Sequence, residues 1–180
     1  MGYNTDFYGR FELNKPLTEE LANYLTAFSK NRHYRISEDL IKELDPDWEK
    51  HCFNGDLGKD AQYYLTDYIG DFFRGHNRER LMILQGSHDY NYNVTPNGTI
   101  PDLWCQWVPS DDLMGIEWDG GEKFYKYVEW IEYLIQNFLA PQGYVVNGEV
   151  QWRGEDFFDV GVIVVENNKV SCREADWSRI

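Results

Sequence analysis

At 180 residues, with 42% hydrophobic and 17% aromatic content, the chain is long enough for one domain with a proper core, and general disorder is excluded. A net charge of −14 argues against a broad basic face for nucleic-acid phosphates and fits solubility, a basic protein partner or mimicry of a polyanion, plain solubility being the commonest of these. No run approaches the roughly 20 apolar residues that cross a bilayer, and MGYNTDFYGRFELNK has no basic stretch leading into an apolar one, so neither a membrane span nor a signal peptide is expected.

Tyr3–Leu13 alternates and is rich in Tyr, Phe and Thr, which predicts an opening strand ended by Pro16. Thr18 is placed to cap a helix, with Glu19 and Glu20 in the first turn where the helix dipole favours them. Leu21, Tyr24, Leu25 and Phe28 then share one helical face. Between Asn31 and Pro101 the pattern is looser. Helices are expected over Ser37–Leu44, stopped before Pro46, and over Asp60–Phe73, with a short buried element at Arg78–Gln85. Gly86–Asp102, GSHDYNYNVTPNGTIPD, is loop-like.

The last third reads more clearly. Leu103–Val108 and Met114–Trp118 predict two strands joined by a turn around Pro109–Leu113. In WDGGEKFYKYVEWIEYLI, Asp119 stands three residues before Glu122, as in a capping box, which predicts a helix from Asp119 to about Leu139, before Pro141. Phe124, Tyr127, Val128, Ile131, Leu134, Ile135 and Phe138 form its core stripe. Asn147–Gly148 is a hairpin signal. Val160–Val165 and Lys169–Arg173 flank a second turn at Asn167–Asn168. This order predicts an α+β fold, a mainly antiparallel sheet with two principal helices on one face. Its βαββαβ skeleton admits a ferredoxin-like sandwich with an insertion, residues 31–101, inside a single domain of residues 1–180.

Motifs for chemistry are sparse. Cys52, Cys105 and Cys172 are scattered and include no CxxC pair, which fits a reducing cytoplasm and predicts no zinc site. There is no GxSxG elbow, HExxH pair or GxGxxG loop. Cys105, inside LWCQW, reads as a core thiol. His33, His51, His76 and His88 are the only acid–base candidates near neutral pH, and His88–Asp89 makes a weak case for an oriented base. No cofactor and no metal ion is expected. The acidic cluster Glu155, Asp156 and Asp159 lacks the ligand spacing of a calcium loop and reads as a polar turn.

Two binding hypotheses remain. In the first, the chain acts without catalysis by binding another protein, with a second copy of itself among the candidates. Glu129, Trp130, Glu132 and Tyr133 beside the core stripe, with Glu155, Asp156 and Asp159, are the interface candidates, because partly exposed aromatics favour interfaces. In the second, loop 86–102 closes an aromatic pocket over a flat small molecule. Tyr90, Tyr92, Trp104 and Trp107 would stack on it, and His88 or Asp89 would fix its polar edge.

The segments MGYNTDFYGRF, LWCQW, IEWDGGEKFYKYVEWIEYLIQNFL, GYVVNGEVQWRGED and DVGVIVVENNKV resemble a family of bacterial and phage proteins with no assigned activity. The resemblance covers the opening strand and nearly all of residues 103–171, and little between them. It implies no catalytic residue. A phage setting would imply an accessory role against a host defence or nucleic-acid-handling system, with carboxylates imitating a nucleic-acid backbone to block a basic groove.

Overall fold

The alternating start becomes strand β1, Thr5–Leu13, which buries Thr5, Phe7, Phe11 and Leu13 on one face and exposes Asp6, Tyr8 and Glu12 on the other. The computed structural model describes residues 2–30, 42, 101–102 and 104–174. The chain divides into two compact units, Met1–Ala22 with Cys105–Ile180 and Asn23–Trp104. Apart from residues 42 and 101–102, the expected insertion and its elements lie outside the described residues, as do His33, His51, Cys52 and His76.

Helix α1, Glu19–Ser29, begins as its sequence predicts. The Leu21 N–H donates to Thr18 Oγ1 at 3.2 Å, satisfying one of the amide groups that a helix start leaves without a partner. Leu21, Tyr24, Leu25 and Phe28 are all buried.

The other strands are β2, Trp107–Pro109; β3, Gly115–Trp118; β4, Val146–Gly154; β5, Val160–Glu166; and β6, Lys169–Glu174. They form one sheet in the order β2-β3-β1-β4-β5-β6, antiparallel at every pairing. With α1 and helix α2, Tyr127–Leu134, this is an α+β fold. The order 2-3-1-4 among the first four strands is the one a βαββαβ sandwich requires, and the β5–β6 hairpin extends it on the β4 side. That hairpin turns at Asn167 and Asn168, with φ of 49° and 68°. Two successive positive φ values match the right-handed twist of the flanking strands, and asparagine tolerates them.

Two expectations fail, for local reasons. The helix does not start at Asp119. Asp119 Oδ1 instead accepts the Gly121 N–H at 2.7 Å, two residues on, and so forms a turn rather than a cap. Gly120, Lys123 and Lys126 then take φ of 82°, 59° and 54°, which no right-handed helix can contain. Gln106 ties this loop to the end of the sheet, its Nε2 donating to Glu122 O at 2.8 Å and its carbonyl accepting from Asp119 N at 3.0 Å. The second failure is Asn147–Gly148, which is no turn but the interior of β4, with Gly148 opposite Phe11 on one side and Val165 on the other.

The inner face of the sheet meets α2 through an aromatic cluster. The Phe7 ring centre lies 4.8–5.6 Å from those of Trp107, Trp118, Phe124 and Tyr127, in the edge-on geometry that ring quadrupoles favour. Trp107 Nε1 donates to Tyr127 O at 2.8 Å, fixing the first turn of α2. The helix runs on as a π turn, Ile135–Leu139, with Ile135, Phe138 and Leu139 buried. It then tightens at Ala140–Gln142 and stops at Gly143, φ 78°. No helix among the described residues is long and apolar enough to cross a membrane.

Candidate docking face

Alternation along β1, β4 and β5 sends one set of side chains inward and the other to the opposite, outer face. Register then aligns the outer set into rows. Tyr8 on β1 stands opposite Gln151 on β4, Gln151 opposite Val162 on β5, and Val162 opposite Arg173 on β6. A second row runs from Asp6 through Arg153 to Val160. Between and beside these rows lies a shallow depression of about 710 Å³, closed at the β4–β5 turn by Phe157.

Its character is amphipathic. Tyr8 is 58% exposed and Phe157 75%, while Val160 and Val162 are half-buried in the floor. Two cations, Arg153 and Arg173, line it against one anion, Glu174, a local inversion of a chain with net charge −14. Arg173 Nη2 is 3.6 Å from Glu149 Oε1 with both side chains more than half exposed, so the pair stabilises little. The Arg153 guanidinium has no ion-pair or hydrogen-bond partner among the described residues. In the turn beside the depression, the Phe157 and Phe158 rings meet edge to face at 5.3 Å, and Phe158 is 67% exposed.

The turn is held by the residues that read as an acidic cluster. Tyr3 Oη donates to Asp159 Oδ2 at 2.6 Å, and Trp152 Nε1 donates to Asp159 Oδ1 at 3.1 Å. Asp156 N–H donates to Tyr3 Oη at 3.1 Å and Asn4 N–H to Glu155 Oε1 at 2.9 Å. The bond to the Asp159 carboxylate holds the Tyr3 phenol above its ordinary pKa. Glu155 and Asp159 thus fasten the N-terminal segment to the turn, while the Asp156 carboxylate stays exposed. Tyr3→Phe is expected to speed amide exchange at Asp156 on the order of tenfold and to lower the melting midpoint by only about 2–4 °C. Hydrogen exchange followed residue by residue checks this, and unchanged protection at Asp156 would refute the latch.

The other interface candidates separate. Glu129 and Glu132 are exposed on α2, with Glu129 Oε1 3.5 Å from Lys126 Nζ and Glu132 Oε1 accepting from Gln136 Nε2 at 3.3 Å. Trp130 and Tyr133 are not at the surface, being 0% and 7% exposed, which corrects the expectation of partly exposed rings. Their rings pack edge to face at 5.6 Å, and Tyr133 in turn meets Phe138 at 5.9 Å. The buried sector of α2 is therefore shifted from the predicted stripe, taking in Trp130 and Tyr133 with Ile131 and Leu134 and leaving Tyr127 and Val128 half-buried.

Of the ligand candidates, His88, Asp89, Tyr90 and Tyr92 lie outside the described residues. Trp104 is 43% exposed and belongs to the second unit. Trp107 is 1% exposed inside the aromatic cluster and has no face left for a ligand, which corrects its assignment. Burial pushes the Cys105 thiol far above its ordinary pKa, as a core thiol requires. Among the described residues no group of three or more His, Cys, Asp or Glu is placed to hold a metal ion.

Sequence patterning missed Tyr8, Arg153, Phe157, Val162 and Arg173. The usable signal was Val160–Val165, whose unbroken apolar run has more greasy positions than one buried face needs. Comparison with protein-family models, with curated proteins and with solved structures finds no match to this chain.

Proposed function

We propose that the chain acts by binding another protein, and that the outer face of β1, β4, β5 and β6 receives it. The row Tyr8–Gln151–Val162–Arg173, with Phe157 at its end, carries this reading. Exposed aromatic rings beside arginine are the composition from which protein-binding hot spots are built, and an apolar patch rimmed by polar groups marks an interaction site. An accessory role against a host system, with acidic surface imitating a nucleic-acid backbone, would instead use Glu129 and Glu132. Binding of that kind weakens steeply as salt rises.

The test compares tagged full chains recovered from native cells. A protein retained by wild type and by Glu129→Gln/Glu132→Gln, but bound at least about tenfold more weakly by Tyr8→Ser/Val162→Ser, supports the outer face. A partner lost only with the glutamate pair moves the site to α2, and the absence of any specific partner sinks the binding reading altogether.

A further inference from the structure

We infer that the occupant of the groove is a second copy of this chain, each copy seating its own β4–β5 turn in the other's depression; this rests on the docking reading above. The groove offers an apolar floor, Tyr8, Val160 and Val162, rimmed by Arg153 and Arg173. The turn immediately beside it offers the complement, an exposed Phe158 preceded by the acids Glu155 and Asp156. The Arg153 guanidinium and the Asp156 carboxylate both lack a hydrogen-bond or ion-pair partner among the described residues. Each is therefore available for a pair across an interface.

Adjacency makes the arrangement self-complementary. When knob and socket stand side by side on one chain, a two-fold axis between them brings each into register with its counterpart, so every contact is made twice. Opposing this is the charge of −14 on each copy. At physiological salt the screening length is about 8 Å, which confines repulsion to near neighbours and lets the contact pairs decide. At very low salt the repulsion reaches across the molecules, and the dimer should loosen.

Sedimentation velocity on the full chain, from micromolar to sub-millimolar concentration at physiological salt, tests this. Wild type should sediment as a dimer in a concentration-dependent way. Arg153→Glu and Asp156→Lys should each weaken the dimer at least about tenfold, while melting temperatures measured at concentrations where the chain is monomeric stay unchanged because both side chains are exposed. Mixing the two variants should re-form a dimer, since each reversed charge then meets the other.

A wild-type chain that stays monomeric throughout overturns the inference. So does a dimer indifferent to both substitutions, or a mixture that fails to associate. If wild type is monomeric yet still loses a foreign partner on Tyr8→Ser/Val162→Ser, only the second copy is excluded and the docking face stands.

Discussion

Trp107→Ala is expected to lower unfolding stability by about 3–5 kcal/mol, the range for removing a large ring from a close-packed core. The indole is 1% exposed and lies 5.2–5.3 Å, centre to centre, from the rings of Phe7, Phe11 and Phe124. These neighbours come from β1 and from the loop before α2, so they cannot all close on the hole without pulling the helix from the sheet. The N–H to Tyr127 O is lost as well. Trp107→Phe isolates that part, keeping a ring while dropping the donor, and should cost about 0.5–1.5 kcal/mol for the bond beyond any packing loss. Urea unfolding midpoints read both effects, and an alanine variant within about 1 kcal/mol of wild type would show that the cluster is not the core.

Gly161→Ala carries the second large effect. A Cβ there would overlap Cζ2 and Cη2 of the Trp152 ring and stand 2.6 Å from Arg173 O. Trp152 cannot step aside cheaply. Its Nε1 is bonded to Asp159 at 3.1 Å and its ring lies 5.8 Å from that of Tyr127. Overpacking of this sort costs about 1–3 kcal/mol, occasionally more. Because Gly161 pairs with Glu174, the strain should reach β6 and the groove wall at Arg173. Replacing Trp152 by Phe in the same chain should recover part of the loss, and a double-mutant cycle measures the coupling. Strict additivity of the two changes would show that ring and glycine do not meet.

Most of the sheet was legible because a half-buried strand must alternate and a hairpin must turn on residues that accept positive φ. Thr5–Leu13 and Asn167–Asn168 obey both rules. Asn147–Gly148 has the same turn chemistry, yet its glycine serves close strand approach. A Cβ at Gly148 would come within 3.2 Å of Arg10 O and 3.5 Å of Phe11 Cα, distances that only the assembled sheet creates. The start of α2 was misplaced for a related reason. Its apolar stripe is genuine, but left-handed Lys123 and Lys126 delay the helix until Trp107 and Gln106 have fixed the loop. The face proposed for docking was hidden because periodicity assigns every greasy residue to the interior. Only pairing register reveals that Tyr8 and Val162 line up in one row on the opposite side.

Strand β1 leaves the ribosome before both its sheet partners, since it lies between β3 and β4, whose pairing residues follow roughly a hundred positions or more later. Both its hydrogen-bonding flanks must wait for them, so loop closure should set the pace of assembly. A nascent chain stalled before residue 115 would hold β1 without either of its sheet partners, open to the wrong ones. The charges at Asp6, Arg10 and Glu12 along that ribbon are the kind of guard that discourages such mispairing.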